Sequence, residues 1–215
     1  MKIGVTVMAH PKRRDEAYAL FDILSKQGFC DVSITWDSEN SEWETGSRAW
    51  EYLSEVKSDY SLVLQDDTVI SENLYENLTN AIQNIPNEGI LSLYLGRVKP
   101  HRGAVQMAFN HATSLGCSYV SCKKLLWGPA IVIPTNRIQA VLSEAKPLDK
   151  YLYDIRLGMA ASALKMPIYY TTQSLVDHND ELGSLIGHQV NQKRCAHKYQ
   201  PNVIKSWNSK TVKIF

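Results

Sequence analysis

The sequence is short of several things that would settle its class at once. No GxxxxGK[ST] stretch occurs, which excludes a P-loop nucleotide site. No glycine-rich turn follows the first apolar run, where a nucleotidyltransferase would carry its phosphate loop. Charge of either sign is not in excess: 23 Lys and Arg stand against 22 Asp and Glu, so no broad field draws the chain to nucleic acid or anionic lipid. Long hydrophobic runs are missing too. The opening "MKIGVTVMAHPKRRDEA" is about half a membrane span before charge interrupts it, and it shows no secretory leader pattern. The four cysteines, at 30, 117, 122 and 195, form no CxxC pair. Cys117, Cys122 and nearby His111 fit no common zinc spacing, so reduced thiols in a cytoplasmic protein are expected. Repeats and low-complexity tracts are absent, and 215 residues suit one domain with a large core.

What is present is an alternation. "KIGVTVM" reads as a strand, "RDEAYALFDILSKQG" as a helix stopped at Gly28, and "DVSITWD" as a second strand. The polar "SENSEWETGS" reads as a loop before the helix "SRAWEYLSEVK". Strand "YSLVLQ" follows, then a helix after Ser71, placed as its cap. "GILSLYLG" gives a fourth strand, "WGPAIVIPTNRIQAVLSEA" a strand and helix, "KYLYDIRLGMAASALKM" a helix, and "PIYYTTQSLVDHN" a last extended segment. Residues 97–124 give no clear periodicity, and the chain beyond Glu181 reads as a polar surface wrap. The sum is an α/β fold with a mainly parallel central sheet covered by helices on both faces, whose ligands bind beyond the carboxyl ends of the strands.

One such end is "LVLQDD". Asp66 and Asp67 stand side by side where a buried strand enters the expected cleft. Adjacent carboxylates suit a hard divalent cation, Mg²⁺ or Mn²⁺, whose shell substrate phosphates complete. An acid/base pair for glycoside hydrolysis is a second reading, and a surface turn leading into a helix a third. In "AHPKRR", Arg14 or Arg13 could clamp a diphosphate, or simply be solvated helix-start charges. Asp37, ending the second strand, could hold a ribose or base edge, or cap a turn. Trp127 and Gly128 could form a platform for an acceptor, although a buried core Trp explains the same letters.

In order and spacing these pieces together resemble GT-A type nucleotide-sugar glycosyltransferases, in particular small bacterial and phage members. "SDYSLVLQDDTVISENLYENLTNAI" resembles their acidic strand-end signature, "VTVMAHPKRRDEA" their nucleotide-binding turn, "WGPAIVIPTNRIQAVL" their acceptor segment and "SLVDHNDELGSLIGH" their C-terminal stretch. The resemblance covers most of the chain. It implies a nucleotide-sugar-binding half over 1–96 and an acceptor half with its tail over 97–215. It also implies Asp67 as metal ligand, with His178 or else His188 as a late further ligand, and Asp66, His10, Arg14 and Asp37 on the donor. Asp154, with Asp149 as competitor, is implied as the base of an inverting transfer. Gln65 departs from the pattern, since related families often carry an acid there. The implied activity is metal-assisted sugar transfer from a nucleoside-diphosphate sugar to a hydroxyl of a surface glycan or a modified DNA base. For a DNA acceptor, the basic stretches "RVKPHRG", "CKKLLWG" and "HQVNQKRCAHKYQ" could meet a phosphate backbone, or be solvated loops. A nucleotidyltransferase and a binding module without chemistry are the alternatives.

Overall fold

The computed structural model describes residues 1–97, 101–183, 185 and 193–214, and among them ten strands and six α-helices. The strands are β1 (Ile3–Ala9), β2 (Asp31–Trp36), β3 (Tyr60–Gln65), β4 (Thr68–Ile70), β5 (Ile90–Ser92), β6 (Tyr119–Cys122), β7 (Ala130–Pro134), β8 (Ile168–Thr171), β9 (Val176–His178) and β10 (Thr211–Lys213). The helices are α1 (Arg14–Ser25), α2 (Glu42–Glu55), α3 (Leu74–Asn84), α4 (Arg102–Ser114), α5 (Ile138–Ala145) and α6 (Tyr153–Ala163). No described helix is long and apolar enough to cross a membrane.

Eight strands form one sheet in the order β10-β6-β8-β5-β7-β3-β1-β2. β2, β1 and β3 are mutually parallel, β7 runs antiparallel between β3 and β5, and β5 pairs parallel with β8. The sheet is therefore mixed and mainly parallel, as the alternation predicts for its first half. β1 lies inside the sheet, between β3 and the edge strand β2, and all seven of its residues are buried, which only a strand covered on both faces allows. Its alternation splits the core in two. Ile3, Val5, Val7 and Ala9 join Leu62 and Leu64 of β3 under α1 and α3. Met8 and Val63 face the other way, under Trp50 and Leu53 of α2 and the apolar sides of α4, α5 and α6.

Several local expectations are corrected. The stretch read as a loop at 38–47 is helical from Glu42, because Ser41 accepts a hydrogen bond from the Glu44 backbone N–H at 3.3 Å and caps α2 five residues early. Ser71 is not a side-chain cap: its hydroxyl is buried without a partner, and its carbonyl takes the Leu74 N–H instead. The last extended segment is two strands. β8 ends in the main sheet, and β9 leaves it to pair antiparallel with β4. The unreadable region supplies α4 and β6. The tail is more than a wrap, since β10 extends the sheet beside β6 and Trp207 is buried in the core.

Gly46 sets how closely α2 and α6 approach. A Cβ there would overlap the Tyr153 ring, and the same contact is tied by the Trp50 indole N–H donating to the Tyr153 hydroxyl at 2.8 Å. Gly46→Ala should therefore destabilise the fold by about 1–3 kcal/mol through overpacking. Urea unfolding measures this, and an unchanged midpoint would show that the two helices are not locked at that point.

Candidate functional site

The carboxyl ends of β1 and β3 lie side by side, and the chain leaves both of them into one cleft of about 250 Å³. Asp66 stitches the two ends together. Its backbone N–H donates to the Met8 carbonyl at 3.1 Å, and its Oδ2 accepts the His10 backbone N–H at 2.7 Å. The short turn Pro11–Arg13 then returns Arg13 over the acids. Its Nη1 lies 2.8 Å from Asp66 Oδ1 and 2.8 Å from Asp67 Oδ2, and its Nη2 donates to the Gly183 carbonyl. All three side chains are more than nine-tenths buried. Burial pushes the Asp66 carboxyl upward, opposed by its bonds from His10 and Arg13, and the net direction stays up.

β4 begins directly after the acids and positions the next group. Its register puts Thr68 opposite His178 on β9, and the Asn179 N–H donates to the Asp67 carbonyl at 2.7 Å. His178 Nε2 consequently sits 3.6 Å from Asp67 Oδ2, with the imidazole only 7% exposed. Burial lowers the His178 pKa, and the nearby Arg194 and Arg13 charges lower it further against the pull of Asp67, so the ring is neutral at pH 7. Among the described residues, Asp67 Oδ1 and His178 Nδ1 are buried with no hydrogen-bond partner.

This is the place to test a cation. Among the described residues no group of three or more His, Cys, Asp and Glu side chains is arranged around one ion. Asp67 and neutral His178 supply two convergent donors, one with an unused buried oxygen. Such a pair fits a hard divalent cation whose remaining shell comes from substrate phosphate oxygens and water.

The opposite wall is built by α2 and α6. Asp154, in the first turn of α6, lines the cleft and accepts the Ile155 backbone N–H at 2.8 Å. Glu42, the first residue of α2, lines it as well, and its Oε1 accepts the Gln65 side-chain amide at 2.8 Å. Burial, then repulsion from Asp154, pushes the Glu42 carboxyl up to about 7, with the Gln65 bond acting the other way. Sequence reading overlooked Glu42 because its stretch was taken as a loop. The signal was there in "SEWE", a Ser three residues before a Glu, which marks a helix start.

The other expected residues divide between the cleft and the exterior. Trp127 and Gly128 line it, the indole edge-on to Tyr94 at 6.0 Å and Tyr170 at 6.1 Å. His10 and Asp37 also line it, but both side chains already serve the backbone. His10 Nδ1 accepts the Lys12 N–H, and Asp37 Oδ1 accepts the Glu39 and Ser41 N–H groups. Burial works to raise Asp37, yet those bonds prevail and its carboxyl lies below the ordinary range. Arg14 is outside: it is exposed, with its guanidinium 5.6 Å from the Tyr18 ring centroid, and its neighbour Arg13 takes the inward position. Asp149 is likewise exposed in the turn before α6 and outside the cleft lining. His188 lies outside the described residues.

Among the described residues, five carboxyl groups line the cleft (Asp37, Glu42, Asp66, Asp67 and Asp154) against two guanidiniums. Both guanidiniums are already paired, Arg13 with the adjacent acids and Arg194 with Asp180 at 2.8 Å. Arg13→Leu leaves two buried carboxylates uncompensated and should cost about 3–5 kcal/mol. Denaturant unfolding at pH 7 checks this, and a loss below about 1 kcal/mol would match an exposed, weak ion pair instead.

No protein-family model and no curated protein matches the chain. Solved structures do. A mutant of Drosophila β1,4-galactosyltransferase 7 in complex with manganese, UDP-Gal and xylobiose superposes with a TM-score of 0.50, covering 90% of this chain and 76% of that one at 11% identity. A CMP:2-keto-3-deoxy-manno-octonic acid synthetase complexed with CTP gives a TM-score of 0.47, covering 79% and 89% at 10% identity. The likeness to the galactosyltransferase is one of fold, a GT-A-like mixed sheet covered by helices.

Proposed function

We propose that this chain transfers a sugar from a nucleoside-diphosphate sugar to a hydroxyl of a glycan acceptor, with inversion, in the cytoplasm. The observation that carries the reading is one cleft at the strand ends of a GT-A-like sheet with different chemistry on its two walls: Asp66, Asp67 and His178 on one, Asp154 beside Trp127 and Gly128 on the other. Residues 1–96 form the donor half under this reading and 97–215 the acceptor half, with α2 reaching across from the first to the second.

Asp67 and His178 would hold a divalent cation, Mn²⁺ or Mg²⁺, which when bound neutralises the diphosphate and favours its departure. The protein's own groups do the rest. Arg13 fixes both acids in one orientation, and Asp66 ties the donor turn to β3 and faces the nucleotide. Asp154 takes the proton of the attacking acceptor hydroxyl as its oxygen bonds the anomeric carbon. The bond from that carbon to the diphosphate oxygen breaks, and its electron pair leaves with the diphosphate. Trp127 offers an aromatic wall on which a sugar face can stack.

The excess of acids favours a glycan over a DNA acceptor. A phosphodiester backbone entering a cleft whose two guanidiniums are already paired would meet unscreened carboxylates, whereas neutral hydroxyls donate hydrogen bonds to them. A nucleotidyltransferase reading lacks its usual glycine turn, since β1 runs directly into "HPKRR".

Thermal unfolding with a panel of nucleotide sugars and plain nucleoside triphosphates, each with and without Mn²⁺, tests the reading. A donor at about 100 times its Kd raises stability by about 2.7 kcal/mol. The expected result is a shift with a nucleotide sugar that requires Mn²⁺ and disappears in Asp67→Asn. Equal shifts in that variant would remove the metal role. A response to triphosphates alone would favour nucleotidyl transfer, and none to any ligand would contradict nucleotide binding.

A further inference from the structure

The wall opposite the paired acids carries a feature that the transfer reading leaves unused. Glu42 and Asp154 come from helices far apart in sequence, yet both stand in the first turn of their helix and line the same part of the cleft. Their approach is enforced from behind, where Gly46 lets α2 close onto Tyr153 and the Trp50–Tyr153 hydrogen bond fastens it. The floor brings them together as well: a methyl placed on Gly128 would lie 3.6 Å from both Asp154 Cβ and Gln65 Nε2, so Gln65 and Asp154 flank the same glycine. Gln65 in turn donates to Glu42 at 2.8 Å. A carboxylate at position 65 would repel Glu42, whereas the amide orients it.

We propose that Glu42 is a positioning residue for Asp154, forming with it a carboxyl pair that holds one proton on Glu42 and leaves Asp154 as the anion facing the acceptor hydroxyl. This rests on the transfer reading above. Two carboxyls sharing one wall cannot both ionise at low cost, so their protons leave in separate steps. Among the described residues, Glu42 also feels Asp67 at the end of β3, whose charge raises it further, and lies near the buried Tyr153 hydroxyl, neutral across the physiological range. Arg156 is turned away, with its guanidinium 4.3 Å from the Trp43 ring centroid and its Nε donating to the Tyr151 carbonyl. On the far side of Asp154, His101 feels both Asp154 and Lys124. Gln65 contacts Glu42 as a neutral donor.

The sign of the pH effect follows. The folded chain keeps the Glu42 proton from the ordinary 4.5 up to about 7, a range in which the unfolded chain has lost it. The contribution of Glu42 to stability is therefore fullest at the acid end of that window and declines as pH rises through it. Glu42→Gln keeps the shape, removes this decline, and shows by its melting temperature that the variant folds.

Carboxyl-carbon NMR of the ¹³C-glutamate-labelled chain, without substrate, is the direct test. Glu42 should titrate near pH 7 in the wild type and at lower pH in Asp154→Asn, because a neighbouring negative charge has gone. An ordinary midpoint, or one that Asp154→Asn leaves in place, overturns the pair. With the donor found by the unfolding panel, Glu42→Gln should keep transfer within about tenfold at its optimum, leave the acid limb of its pH profile in place and remove the inflection near pH 7. Asp154→Asn should lose about 100-fold or more. A loss in Glu42→Gln as large as in Asp154→Asn would make Glu42 itself the base and overturn the positioning role. Absence of turnover with every donor would overturn the role in transfer, and the NMR result then separates that failure from failure of the pair.

Discussion

Two adjacent carboxylates at the end of a buried strand are an electrostatic liability, and Arg13 is what makes them tolerable. One guanidinium nitrogen lies 2.8 Å from an oxygen of each acid. The planar, permanently charged fork lets that nitrogen serve both acids while the other, held in fixed geometry, anchors on a backbone carbonyl. The turn Pro11–Arg13, the end of β1 and the start of β4 are all arranged around that contact. Gly183 is as well, since its carbonyl takes the second guanidinium nitrogen. Among the described residues one guanidinium serves both acids, and Asp67 keeps a buried oxygen without a partner. A site built this way is stable enough to fold and still favours a further cation.

The second wall follows a different logic. There the acids are separated in sequence and brought together by helix packing, with a neutral amide between them rather than a guanidinium. The two walls thus treat the same residue type in opposite ways. At the strand ends the carboxylates are paired with positive charge and face the expected diphosphate. On the helices, burial and mutual repulsion leave a carboxyl that changes state near pH 7. A single cleft that holds both behaviours suits a group transfer in which charge leaves from one set of acids and a proton goes to the other.

Much of this was legible in the sequence, for physical reasons that can be named. The β-branched run of β1 and the alternation of strands and helices pointed to the layered α/β fold, since alternating strands and helices build a parallel sheet covered on both faces. Asp66, Asp67, His178, Asp154, Trp127 and Gly128 were picked out by position and do converge on one cleft. The choice between Arg13 and Arg14 was not legible, because a tight turn decides which of two neighbours points inward and neither residue's letter reveals it. Glu42 was missed because a polar stretch was weighed by composition, when its Ser-x-x-Glu spacing marked a helix start. The short β4–β9 pairing, which sets His178 beside Asp67, left no periodicity over three residues for any pattern to detect.

The central claim is that the unsatisfied charge at the end of β3 takes up a divalent cation together with a nucleotide diphosphate. Anomalous diffraction from crystals soaked with Mn²⁺ and the best-binding nucleoside diphosphate tests it most directly. The account predicts one manganese peak in the cleft within ligand distance of Asp67 and His178, with phosphate oxygens completing its shell. A nucleotide bound in the cleft with no manganese beside those two residues would contradict it.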